Sequence, residues 1–167
     1  MPKRYVKELT IHRRHLPHWE FLGAMYFITF NLKDPTLCDF SRDDVAPVIL
    51  EAFAHYANER YYLCDHTVMP DHAHTILQPI VRDGRVEQLG DMVGDIKGYT
   101  AHKINELLGR KGALWLDESY DRIVRDREEY EEKAKYIFEN PVKAGLVKRG
   151  EDWKWWRPGI PPPKEDG

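Results

Sequence analysis

The period of hydrophobic and polar positions changes several times along the 167-residue chain, and each change marks an element. Residues 25–31, Met-Tyr-Phe-Ile-Thr-Phe-Asn, are aromatic and β-branched and read as a central strand. Ser41 and Asp44 have the spacing of a capping pair; Val45, Ile49, Ala52, Phe53 and Tyr56 follow at helical spacing, which predicts a helix to about Asn58. Two short extended runs, Tyr61 to Val68 and His72 to Gln78, flank Met69-Pro70-Asp71, where proline and aspartate favour a turn. They read as a hairpin whose second strand opens with histidine. Met92, Ile96, Tyr99, Ile104 and Leu107 mark a helix from Leu89 to about Leu108; its Gly94 and Gly98 lower helix propensity, which implies close approach of another backbone or a ligand. After a strand or loop through Leu114, Trp115 and Ile123, Asp126 and Glu129 form a capping box for a helix through Phe138, which Pro141 should end near Asn140. Leu146 and Val147 read as a last short strand.

This order predicts an α+β fold, a ferredoxin-like antiparallel sheet with helices packed on one face. With 42% hydrophobic residues, one domain over residues 1–156 is expected, residues 1–20 being partly an arm and 157–167 a disordered tail. No run approaches the roughly 18 apolar residues of a membrane span, and the start lacks the apolar core of a signal peptide, so a cytoplasmic protein is expected. Cys38 and Cys64 stand far apart and read as reduced structural thiols. The net charge of −3 argues against a uniformly basic nucleic-acid binder. The charge is uneven, however: residues 1–33 hold six basic and two acidic side chains, so the remainder carries −7. That leaves room for either a basic face or a solvated arm.

Candidate chemistry sits in two places. His72 and His74 lie two apart, so on a strand their imidazoles share a face, as two ligands of one metal must. Tyr136 and Asn140 lie four apart and share a helix face, Tyr136 at the border of the apolar arc set by Tyr130, Ala134, Ile137 and Phe138. Two imidazoles, an amide and a phenol suit metal-assisted attack on a phosphodiester. The histidine pair by itself also fits core or surface packing. On the other face of its strand, Ala73, Thr75 and Leu77 are suited to pack.

Val68-Met69-Pro70-Asp71-His72-Ala73-His74 and the block from Tyr136-Ile137-Phe138-Glu139-Asn140-Pro141 to Val147 resemble two signature blocks of the single-tyrosine HUH transposases, specifically the REP-associated tyrosine transposases. Arg14-His15-Leu16-Pro17-His18-Trp19 and Tyr26 to Phe30 resemble the same branch, so the likeness covers roughly residues 13–156. It departs from the pattern at Ala73, where a bulky aliphatic is usual, and at Asp71, where asparagine is common. The resemblance implies that His72, His74 and Asn140 hold Mg²⁺ or Mn²⁺ and that Tyr136 forms a 5′-phosphotyrosine link with single-stranded or hairpin DNA, in a monomer or a homodimer.

Arg13, Arg14, Lys97, Lys103, Arg122 and Arg125 are candidates for contacts to DNA phosphates, and Trp115 for either base stacking or the core. The rival readings are a catalytically silent hairpin-binding protein derived from a transposase and a phosphoesterase with paired His-x-Thr motifs. No such pair occurs in the chain.

Overall fold

The computed structural model describes residues 24–159. Among these, β1 (Met25–Asn31), α1 (Ala46–His55), β2 (Tyr61–Val68), β3 (His72–Pro79), a small hairpin β4 (Val81–Arg82) and β5 (Arg85–Val86), α2 (Leu89–Leu108), β6 (Tyr120–Val124), α3 (Arg127–Lys143) and β7 (Trp156–Arg157) follow in order. The main sheet has the order β6-β1-β3-β2-β7, and every pairing in it is antiparallel. The fold is α+β. Taken as β1-α1-β2-β3-α2-β6, its first four sheet positions have the ferredoxin-like arrangement that the sequence predicts.

Alternation along the strands makes two cores. Ile28 and Phe30 of β1, Leu63 of β2 and Ala73 and Leu77 of β3 pack with Ile49, Ala52 and Phe53 of α1 and Met92, Ile96 and Ile104 of α2. Met25, Phe27, Cys64 and Ile76 point the other way and pack with Tyr130, Ala134 and Ile137 of α3. Helices therefore share one face only for α1 and α2, while α3 covers part of the opposite face. The physical reason is that β2 and β3 are buried on both sides, and α3 carries the apolar stripe that covers the second. Cys64 faces α3 by alternation, and at the register shift between Leu63 and His66 the next residue meets α3 too, the Asp65 carboxylate lying 3.0 Å from the Tyr130 hydroxyl, which donates to it.

Several boundaries differ from the sequence pattern. Ser41 is held by Asp39, and Asp44 by Arg42, so neither caps a helix; α1 starts after Val45 and stops at His55, short of Asn58. Asn58 instead has φ +65°. The capping box at Asp126 holds, its side chain accepting from the Glu129 amide at 2.9 Å. Pro141 does not end α3, which runs on to Lys143. In the last turn a proline removes one donor without interrupting a long ladder. The stop is Gly145, φ +74°, where Leu146 N–H bonds the Pro141 carbonyl and Gly145 N–H that of Val142. Leu146 and Val147 belong to this helix stop and not to a strand; the last strand is Trp156–Arg157, so Arg157 pairs with His66 in the sheet rather than opening a tail. A Cβ at Gly94 or Gly98 would meet nothing within 4 Å, so among the described residues no other backbone approaches either. Trp115 is a core residue whose indole N–H donates to Thr100, which removes it as a stacking surface. Cys38 and Cys64 are free. No helix among the described residues is long and apolar enough to cross a membrane.

Candidate active site

The sheet face that α3 only partly covers places His72 and His74 beside each other, ring centroids 4.6 Å apart. Antiparallel pairing aligns His72 with Asn31 and His74 with Thr29, so these four side chains stand on one face. From α3, Tyr136 and Asn140 face the same spot: His74 and Tyr136 have ring centroids 5.5 Å apart, and the His72 Nε2 lies 3.2 Å from the Asn140 amide oxygen. Because α3 continues through Pro141, Tyr136 and Asn140 stay one turn apart on a continuous helix. The four residues border a cleft of about 630 Å³.

The hydrogen bonds fix which nitrogens are free. The His72 Nδ1 lies 2.7 Å from the carboxylate of Asp71, which only accepts, so this nitrogen carries the proton. In the neutral ring Nε2 is then an acceptor, and it faces a second acceptor, the Asn140 amide oxygen. A cation seated beside both lone pairs would satisfy them. The His74 Nδ1 is 2.9 Å from the Thr29 hydroxyl, and Nε2 is buried without a hydrogen-bonding partner among the described residues. Burial, and then the neighbouring His72, push the His74 pKa down to about 3, so its ring stays neutral, the form that can ligate a metal. This donor set fits a divalent cation, with Asp71 and Thr29 orienting the two imidazoles from behind. Asp71, a departure from the signature block, thereby supplies a carboxylate at this point. Among the described residues no group of three His, Cys, Asp or Glu side chains converges, which is consistent with a ligand set completed by an amide.

Tyr136 is 42% exposed and so presents its ring to solvent, whereas Tyr130 is 1% exposed and committed to Asp65. Tyr120 is the first residue of β6, in the stretch whose pattern fits a strand or a loop, and borders the same cleft.

The candidate phosphate contacts divide by location. Arg122 borders the cleft and Arg125 an adjoining one. Lys97 and Lys103 sit on α2, which packs on the other face of the sheet. The Lys97 ammonium donates to the Leu116 and Asp117 carbonyls at 2.9 and 3.2 Å, and burial lowers its pKa. Arg13 and Arg14 lie outside the described residues. Sequence reading missed Lys133 and Lys143, whose ammoniums lie 5.4 Å from the Phe27 ring and 5.9 Å from the Tyr136 ring. Helix periodicity was the available signal, because Lys133, Tyr136, Asn140 and Lys143 fall at offsets of three, seven and ten residues along one helix flank.

The class that fold and site together define is an α+β domain with a two-histidine strand facing a tyrosine helix. No family model matches the chain. A Haemophilus influenzae protein named as a REP-associated tyrosine transposase is 24% identical over 145 residues, spanning 80% of this chain and 78% of that protein. A solved structure of a REP-associated tyrosine transposase bound to a REP hairpin superposes with a TM-score of 0.66 at 22% identity, covering 85% of this chain and 81% of that one. A Deinococcus radiodurans crystal structure described as a transposase covers 75% of this chain and 95% of that one, with a TM-score of 0.48 and 19% identity. The resemblance to the REP-associated tyrosine transposases carried by the two sequence blocks is thus found again along the chain and in the fold.

Proposed function

We propose that the protein is a metal-dependent single-stranded DNA endonuclease and strand transferase that acts at hairpin sites of the REP type through a 5′-phosphotyrosine intermediate. The observation that carries this reading is the convergence of the His72, His74 and Asn140 acceptor atoms beside the exposed Tyr136. The hairpin in the related solved structure supports the choice of DNA partner. His72, His74 and Asn140 would hold Mg²⁺ or Mn²⁺, which when bound neutralises charge on the reacting phosphate. The chain's own side chains do the rest. Asp71 fixes the tautomer of His72, and the Thr29 hydroxyl orients the His74 ring. α3 holds the phenol at a set offset from Asn140, which places nucleophile and phosphate together. The Tyr136 oxygen forms a bond to phosphorus, the bond from phosphorus to the 3′-oxygen breaks, and the phenolic proton is lost while the leaving oxygen gains one. The diester count is unchanged, so a second 3′-hydroxyl can reverse the step and join a different DNA end without ATP. Such a protein works in the cytoplasm at the nucleoid, as a monomer or a homodimer.

The test compares a hairpin-bearing single strand with a blunt duplex of the same sequence, with Mg²⁺ or Mn²⁺ or with chelator. Cutting of the hairpin strand alone, lost on chelation, is expected, together with a covalent protein–DNA adduct. Equal cutting of both substrates overturns the reading. Tight hairpin binding with no cutting across the host's palindromes leaves the catalytically silent DNA-binding protein instead.

A further inference from the structure

The same sheet face continues past the histidines to an open edge. Register aligns Tyr120 of β6 with Thr29, and Arg122 with Phe27, so one row runs His74, Thr29, Tyr120 across three strands and the next row ends on Arg122. Two interstrand spacings, about 10 Å, separate the His74 backbone from that of Tyr120. Tyr120 is 52% exposed, yet it is not a loose side chain. The Arg122 Nε donates to its hydroxyl at 2.5 Å, and the Arg122 guanidinium lies 5.4 Å from its ring centroid. Lys133 borders this cleft from α3, on the other side. Neither Arg122 nor Lys133 is in an ion pair among the described residues, so both charges are available to an anion. The adjoining cleft beyond Arg122 is different, since Asp121, Glu129 and Glu132 border it together with Arg122, Arg125 and Lys133, so its charges balance. The Tyr120 cleft, with Arg122 and Lys133 and no carboxylate among its lining residues, is therefore the more favourable side for a phosphate.

We propose that Tyr120, Arg122 and Lys133 form a subsite for the nucleotide flanking the reacting phosphate: the Tyr120 ring stacks on its base, and the two cations hold its phosphate. The inference rests on the proposed DNA cleavage and names where the unpaired strand lies. A positioned, exposed aromatic ring between two cations is the combination that binds single strands with little sequence preference, because every base offers a π-face and every nucleotide a phosphate. A paired base would keep its faces covered, so the subsite accepts single-stranded DNA and not duplex.

The experiment uses the full chain carrying Tyr136→Phe, in chelator, so that no cutting occurs, with a short oligothymidylate containing one bromodeoxyuridine as probe. Irradiation should crosslink the probe to the peptide bearing Tyr120. Tyr120→Phe should retain both the crosslink and the affinity within about twofold. Tyr120→Leu, which keeps an apolar residue on the strand, should weaken binding about tenfold, in the range one stacked base contributes. Arg122→Ala removes one of the two cations, and with it the hydrogen bond to the Tyr120 hydroxyl, and should weaken binding and reduce its salt dependence. A crosslink mapped elsewhere, or affinity unchanged in both Tyr120→Leu and Arg122→Ala, overturns the subsite. Because the readout is binding without metal, a protein that passes here and never cuts DNA refutes the cleavage and leaves the subsite standing.

Discussion

His72 and His74 differ in what they do for the fold, although both point at the same place. His74 is 4% exposed, its ring is stacked on Phe27 at 5.2 Å, and it is bonded to Thr29. His72 is partly exposed and held by Asp71 at the start of β3. Both His72→Ala and His74→Ala are expected to abolish cutting. Only His74→Ala should also lower stability, by about 2 kcal/mol, as a buried ring is lost and the Thr29 hydroxyl loses its partner. Denaturant unfolding of the two variants checks this; equal loss, or a larger loss for His72→Ala, contradicts it. For the tyrosines, Tyr136→Phe should remove the covalent adduct while unfolding stays within about 0.5 kcal/mol of the parent, because an exposed hydroxyl is deleted. Peptide mapping of the trapped adduct decides it, and DNA found on Tyr130 or Tyr120 would refute the assignment. The nucleophile and ligand candidates were readable from spacing, because the periods of strand and helix fix which side chains share a face. Tyr120 and Lys133 were not, because their place in the cleft depends on β6 lying next to β1 and on the side from which α3 arrives.

At the level of elements, the position of α3 sets the distance between phenol and imidazoles, and its start is fixed by a local cap while a neighbouring turn packs against its second half. Asp126 caps its first turn, and the short 3-10 turn Gly150–Asp152 packs on it near Phe138. A Cβ at Gly150 would come 2.5 Å from the Phe138 carbonyl oxygen, so backbone must move to admit it. Gly150→Ala is expected to lower stability by about 1–3 kcal/mol, in the range of overpacking. Gly98→Ala, on the exposed side of α2 with nothing within 4 Å, should raise it by about 0.5–1 kcal/mol. Opposite signs in denaturant titrations are the expected result, and a neutral Gly150→Ala would mean that α3 is not held there. α3 also carries the clearest failure of a local rule. Proline predicts an ending near Asn140, yet the helix passes through it, because the stop is supplied by Gly145 and Pro141 is itself buried.

For the whole molecule, burial of neutral histidines couples stability to pH. Burial is the main cause that lowers the His66 pKa from 6.5 to about 4; its ring packs against Phe53, and Nδ1 donates to the Cys64 carbonyl at 2.8 Å. In the unfolded chain His66 takes up its proton as pH falls through 6.5, whereas in the folded protein it does so only near pH 4. The unfolded state therefore binds more protons between these values, and stability falls as pH drops through that window, by at most about 3 kcal/mol from this residue. His66→Gln should flatten the dependence between pH 6.5 and 4 relative to the parent. His74, lowered to about 3, contributes in both proteins and cancels from the comparison. Parallel stability curves for parent and variant would show that His66 is not buried neutral.

The sequence by itself determined the strands β1, β2 and β3, the span of α2, the cap of α3 and the pairings of His72 with His74 and Tyr136 with Asn140. Each of these follows from a period or a local hydrogen bond within a few residues, which holds whatever the remainder of the chain does. Only the tertiary structure decided that α3 lies on the face opposite α1 and α2, that β7 ends at Arg157 and pairs with β2, that Lys97 is spent on two carbonyls, and that Tyr120 borders the histidine cleft. These depend on which of two apolar sheet faces each element covers, and that is settled by burial across distant segments, which no local pattern records.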